Sequence, residues 1–179
     1  LVIMDAFAVA HRSHASTCGI IQHAKKACLG PLFQQEITNL SKIRNNSAQP
    51  SIAIIGGAKI STKLGLLKSL LHTVDALLIG GGMANTFLQA QGYDIASSFS
   101  EPKMLDEARQ ILTQAQSLGK TIVLPSDVVM AQELDTPPAS FMLDTMPQGK
   151  ILDIGPKTVV EMLQFIHTAK TIIWNGPMG

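Results

Sequence analysis

Two lysines four residues apart, Lys59 and Lys63, follow directly on Gly56-Gly57 at the end of an apolar run, Ile52-Ala-Ile-Ile. That grouping suits a polyphosphate. The run of β-formers reads as a buried strand, and the glycines let the backbone turn tightly and approach a ligand with no Cβ in the way. A helix expected to start just beyond would turn its unpaired N–H groups and positive end toward an anion. At i and i+4 of that helix, Lys59 and Lys63 would share a face and aim two ammonium groups at one ligand. Taken singly, the glycines would more often be a structural turn and the lysines a solvated helix face.

The commoner nucleotide signatures do not account for these residues. There is no G-x-x-x-x-G-K-[ST], so a P-loop is not supported, and Gly80-Gly-Gly-Met-Ala-Asn does not supply the G-x-G-x-x-G of a dinucleotide site. A Rossmann-like oxidoreductase would also need an acidic ribose-binding residue after the first glycine turn, and no convincing pair is found. His11, His14 and Cys18 could be read as metal ligands, but their spacing is not that of a common zinc site and a fourth ligand is not evident. The two cysteines, Cys18 and Cys28, do not make a disulfide framework and read as small buried hydrophobes.

From residue 50 onward, short apolar runs alternate with helix-period segments, the pattern of a parallel sheet covered on both faces. Strands are expected at 51–56, 76–80, 121–124, 150–154 and 171–174, and helices at about 60–73, 83–91, 103–118 and 157–168. In the clearest helix Met104, Leu105, Ala108, Ile111, Leu112 and Ala115 recur at helical spacing, with Gly119 placed as a C-cap. Turn chemistry follows nearly every strand: Gly56-Gly57, Gly80-Gly81-Gly82, Pro125-Ser126-Asp127, Gly155-Pro156 and Asn175-Gly176-Pro177. In an open parallel sheet such carboxyl ends share one edge, where ligands bind. Residues 129–149 break the alternation and are expected to form a loop or an antiparallel excursion. Upstream, 32–43 reads as a connecting helix and 44–50 as a surface turn, leaving 1–31 to another domain.

The chain of 179 residues is 46% hydrophobic and 15% charged, with a formal net charge of +1. It can bury a real core, and no global field points to nucleic acid or an anionic membrane. No apolar run reaches the roughly 18 residues of a membrane span, which makes a cytoplasmic protein the expectation. Both ends fall inside apparent strand or turn structure, so the chain is expected to be a piece of a longer protein.

The glycine and lysine motifs, with several others, resemble the phosphoglycerate kinase family. The likeness is carried by Asp5-Ala-Phe with Ala10-His-Arg-Ser-His-Ala-Ser16, by Gly56-Gly-Ala-Lys-Ile-Ser-Thr-Lys63, and by Gly80-Gly-Gly-Met-Ala-Asn-Thr-Phe87. It continues through Leu124-Pro-Ser-Asp127, Leu152-Asp-Ile-Gly-Pro156 and Trp174-Asn-Gly-Pro-Met-Gly179, in order and spacing over essentially the whole chain.

The resemblance implies an α/β fold: a Rossmann-like parallel sheet with helices on both faces, preceded by a remnant of a second α/β domain. Residues 1–31 would end a phosphoglycerate-binding domain, 32–50 would be the interdomain helix and connection, and 51–179 an incomplete nucleotide-binding domain. The implied reaction is reversible phosphoryl transfer from 1,3-bisphosphoglycerate to ADP, giving 3-phosphoglycerate and ATP. Lys59 would steady the transferring phosphoryl group and Lys63 would bind nucleotide phosphates. Gly57, Ala58, Gly81 and Gly82 would line an adenine pocket walled by Phe99 and Leu152. Asn175 would reach a phosphate, Pro177 would pack near the nucleoside, and Arg12 would contact phosphoglycerate.

Mg2+ would be carried on the ADP or ATP phosphates, its protein carboxylate lying in a segment not found here. The implied protein is a cytoplasmic monomer with no nucleic-acid or membrane partner. The chain alone would turn over negligibly, and its unpaired sheet edge would favour aggregation. A non-catalytic nucleotide-binding module of the same fold is the alternative. One local departure stands out: Ala8-Val9 replace the family's usual Gly-Thr, which constrains the backbone before Arg12.

Overall fold

The computed structural model describes residues 1–133 and 135–179, in two compact units, Leu1–Ser47 and Ala48–Gly179. In the first unit, β1 (Val2–Met4) pairs in parallel with β2 (Ala27–Leu29), with α1 (Ile20–His23) preceding β2 in the chain and α2 (Pro31–Asn46) following it. The helix α2 runs through positions 44–46, where a surface turn is expected from the sequence. Pro31 pre-sets the first turn, and the cap comes from a distant residue, with the Phe33 N–H donating to Asp5 Oδ1 at 2.8 Å. The Phe7 and Phe33 rings meet edge to face at 5.3 Å.

The second unit is built on a four-stranded parallel sheet in the order β5-β4-β3-β9, comprising β3 (Ser51–Ile55), β4 (Ala76–Ile79), β5 (Thr121–Val123) and β9 (Thr171–Asn175). All of β3 and β4 is buried, because successive side chains point to opposite faces and helices cover both. On one face Ala53, Ile55, Leu77 and Ile79 pack against α3 (Leu64–Leu71), α4 (Gly82–Ala90) and α5 (Leu105–Ser117) through Leu67, Leu71, Phe87 and Ile111. On the other, Ile52, Ile54, Ala76 and Leu78 pack against Met162, Phe165 and Ile166 of α6 (Pro156–Thr168). Gly119 ends α5 as expected, with the Lys120 N–H reaching Ala115 O and the Gly119 N–H reaching Gln116 O.

The strand at 150–154 forms, as β8 (Lys150–Ile154), but does not join the parallel sheet. It pairs antiparallel with β6 (Asp127–Ala131), which also pairs antiparallel with β7 (Ala139–Met142). The break expected after residue 129 is this antiparallel excursion. Gly155-Pro156 therefore follows a strand of the antiparallel sheet and opens α6. Asp127 caps α6 from a distance: its carboxylate accepts the Lys157 N–H at 3.0 Å and the Thr158 N–H at 2.7 Å. The Thr158 hydroxyl donates to the same carboxylate at 2.6 Å.

Candidate functional site

The register of the sheet brings three glycine turns together. Ile55 lies between Ile79 on one side and Asn175 on the other, so the chain leaves β3, β4 and β9 at neighbouring points as Gly56, Gly80 and Gly176. The turns are then laced to each other: the Gly56 N–H donates to Asn175 O, the Gly80 N–H to Ile55 O, the Gly81 N–H to Met178 O, and the Met83 N–H to Gly57 O.

Two glycines are required by this geometry. A Cβ at Gly56 would stand 1.7 Å from the Pro177 carbonyl oxygen. Gly81, at φ +68°, adopts a left-handed backbone, and a Cβ there would meet Gly57 N at 2.7 Å.

Lys63 is the cation built into this edge. Its Nζ donates to Gly56 O at 2.7 Å and to Asn175 Oδ1 at 2.5 Å, with Asn175 O at 3.3 Å. All three acceptors are neutral oxygens, so the positive charge is held in place without being cancelled. Phosphate oxygens can take over these hydrogen bonds and add charge attraction.

Lys63 is not on a helix face shared with Lys59. Residues 60–63 form a turn, closed by the Lys63 N–H on Ile60 O at 2.8 Å, and α3 starts only at Leu64 with Lys63 as its N-cap. The reason is Ile60, whose side chain is wholly buried in the core beside α3, α4 and α5. Inserting it bends the chain out of helix. Lys59 is left exposed in the glycine-lysine turn.

The remaining expected residues divide clearly. Gly82 abuts Ala58 and the Phe99 ring, since a Cβ on it would stand 3.2 Å from Ala58 Cα and 3.4 Å from Phe99 Cδ1. Leu152 lines a shallow cleft with Gly81, Gly82 and Met178. Pro177 crosses above Gly56. Gly57, Ala58, Lys63, Gly81, Gly82, Phe99, Leu152, Asn175 and Pro177 thus border one continuous edge of the second unit. Arg12 belongs to the first unit, where it is exposed. Its carbonyl accepts the His14 N–H at 3.0 Å and the Thr17 hydroxyl. Ala8 and Val9 are accommodated in a short 3-10 turn, Phe7–Val9, with neither at positive φ. Cys28 is exposed and Cys18 partly so, contrary to the buried positions expected of them; β2, which carries Cys28, is exposed throughout.

Sequence reasoning did not single out Glu101. Its carboxylate accepts the Ser61 N–H at 3.0 Å and the Ser61 hydroxyl at 2.6 Å. Burial pushes the Glu101 carboxyl up, but the Ser61 hydroxyl, the Ser61 and Ile60 amides and the charge of Lys59 outweigh it and hold it below the ordinary value. No local motif marks a contact made across 40 residues of chain.

The phosphoglycerate kinase family model matches residues 1–179. The chain belongs to the phosphoglycerate kinase family. It is 48% identical over 181 residues to a phosphoglycerate kinase of Desulfovibrio desulfuricans, covering 99% of this chain and 46% of that protein. A phosphoglycerate kinase of Legionella pneumophila is 48% identical over 180 residues, with the same coverage.

Among solved structures, phosphoglycerate kinase from Coxiella burnetii superposes with a TM-score of 0.91 at 44% identity, over 99% of this chain and 46% of that one. The enzyme from Pyrococcus horikoshii superposes at 0.83 with 28% identity and the same coverage. The chain therefore spans about half the length of the phosphoglycerate kinases it matches.

Proposed function

We propose that this chain supplies the nucleotide side of a phosphoglycerate kinase, an enzyme of glycolysis and gluconeogenesis. The whole protein would transfer a phosphoryl group reversibly from 1,3-bisphosphoglycerate to ADP, giving 3-phosphoglycerate and ATP. The observation that carries this reading is the convergence of Gly56, Lys63, Gly81 and Asn175 on one sheet edge in a chain of this family.

Phosphoryl transfer needs positioning and charge neutralisation more than covalent chemistry from the protein. Lys63 and Asn175 would hold the nucleotide phosphates. Lys59, exposed in the same turn, would swing onto the phosphoryl group in flight and stabilise the charge spread over its oxygens. Gly57, Ala58, Gly81 and Gly82 would let the adenosine lie against backbone, between Phe99 and Leu152, with Pro177 near the nucleoside. Arg12 would bind phosphoglycerate from the first unit. Residues 1–31 would then close a phosphoglycerate-binding domain, and 32–50 would carry the connection to the nucleotide domain.

Mg2+ would neutralise charge on the nucleotide phosphates. Among the described residues no group of His, Cys, Asp and Glu is arranged to hold a metal ion; on this reading the ion would arrive on the nucleotide. No described helix is long and apolar enough to cross a membrane. A cytoplasmic monomer free of nucleic acid fits this reading.

Calorimetric titration of ADP into the chain, beside Lys63→Ala, tests the proposal. Saturable binding weakened roughly tenfold to a hundredfold is expected, the worth of a charge-assisted hydrogen bond to phosphate. A folded chain that binds no ADP, or binds it equally well without Lys63, overturns the assignment of this edge.

A further inference from the structure

The turn that presents Lys59 and Lys63 is held at three points. Ile60 is sunk in the core, Lys63 reaches back to Gly56 and Asn175, and Ser61 gives both its N–H and its hydroxyl to the two oxygens of Glu101. Glu101 is itself anchored. Its N–H donates to Thr86 Oγ1 at 3.0 Å, and two residues earlier Phe99 O accepts Asn85 Nδ2 at 3.1 Å. Asn85 and Thr86 are buried side chains of α4, the helix that begins at the Gly81-Gly82 turn. A short strap, 99–101, therefore connects the buried face of α4 to the lysine turn.

A carboxylate beside the lysine turn would by itself repel a phosphate, but both oxygens of Glu101 are taken up by Ser61. Ser61 commits both Glu101 oxygens in a forked geometry that fixes direction as well as distance.

We propose that Glu101 is a positioning residue for the Lys59–Lys63 turn, setting through Ser61 where the two ammonium groups are offered to the nucleotide phosphates. The inference rests on the reading of this edge as a nucleotide site. It separates Glu101 from the adenosine contacts, because the strap's hold on α4 runs through backbone groups at 99 and 101 and does not use the Glu101 carboxylate.

The test uses the 179-residue chain with Glu101→Ala, Glu101→Gln, Ser61→Ala and the Ser61→Ala/Glu101→Ala pair, measuring ADP and adenosine affinity and amide hydrogen exchange at 60–63. Expected is an ADP affinity about tenfold lower in Glu101→Ala, as for loss of hydrogen bonds to a charged group. Glu101→Gln, which keeps one acceptor, should lose less. Adenosine affinity should be unchanged, exchange at Ser61 faster in Glu101→Ala, and the effect of that substitution smaller in the Ser61→Ala background.

Equal losses for ADP and adenosine would reduce Glu101 to general stability and overturn the proposal. Unchanged or tighter ADP binding with unchanged exchange would do the same. If Glu101→Ala does not fold, Glu101→Gln decides by the same readouts. If the unaltered chain binds no ADP, the nucleotide reading fails on its own account, and the exchange rates alone decide whether Glu101 holds the turn.

Discussion

Lys63 Nζ lies 2.5 Å from Asn175 Oδ1, joining the turn after β3 to the end of β9 across 112 residues of chain. The contact is partly exposed, so its contribution to stability is modest, and it is shared with the Gly56 carbonyl. A double-mutant cycle of Lys63→Ala and Asn175→Ala, read by chemical denaturation, should give a coupling of about 0.5–1.5 kcal/mol. Strict additivity would mean the two side chains do not meet in solution.

Glycine replacements at two nearby positions should have opposite signs. Gly56→Ala forces Cβ against the Pro177 carbonyl, which only a backbone shift can relieve, and should destabilise by about 2–4 kcal/mol. Gly65 lies in the first turn of α3 with open space around it. Gly65→Ala should stabilise by about 0.5 kcal/mol through helix propensity and a less disordered unfolded chain. Thermal melts of the two variants check both.

Asp127 should give the fold a definite acid dependence. Burial raises its carboxyl, but the Thr158 hydroxyl and amide, the Lys157 amide and the Lys157 charge outweigh burial and hold it below the ordinary value. A carboxyl lowered by folding stabilises the native state above its unfolded pKa, near 3.9, and loses that stabilisation as pH falls through the folded value. Asp127→Ala should cost about 2–3 kcal/mol at pH 7, since it leaves α6 uncapped, with the Lys157 and Thr158 amides stripped of their carboxylate acceptor. The gap between variant and parent should hold down to about pH 4 and close below it. A gap that widens on acidification would contradict this account.

Phe99 separates binding from folding. The residue is 49% exposed, so Phe99→Ala should change stability by no more than about 1 kcal/mol. If it forms a wall for adenine, ADP and adenosine should both bind several-fold more weakly, unlike the phosphate-selective loss expected of Lys63→Ala. Calorimetry with both ligands distinguishes the two patterns.

The sheet was legible because its central strands are buried on both faces: Ile52 to Ile55 and Ala76 to Ile79 have no polar side chain to alternate with, and each is stopped by glycine. Helix α5 was legible for the opposite reason, a clean division between Ala108, Ile111 and Ala115 and the polar residues around them. The start of α3 was not. Ile60-Ser-Thr-Lys63 carries no residue that forbids a helix, and only the burial of Ile60 and the grip of Glu101 on Ser61 make it a turn. Strand β8 was visible as a strand but assigned to the wrong sheet, since period-two burial does not reveal which partner a strand pairs with. The candidate residues on the sheet edge could be picked out from motifs. Their mutual contacts, such as Lys63 with Asn175, depend on long-range register that no local pattern encodes.

The neighbours of β3 differ greatly in when a ribosome would deliver them. β4 follows within one helical crossover, and with α3, α4 and α5 it can complete most of one face of the core early. Closing a loop of 112 residues to bring Asn175 to Lys63 carries an entropic cost of about 4 kcal/mol. The edge that carries Lys63 and Asn175 is therefore complete only once β9 docks on β3, and β9 is the strand whose fraying would undo it first. A ligand held by Lys63 and Asn175 would act on the chain as a clasp, slowing the escape of β9 from β3.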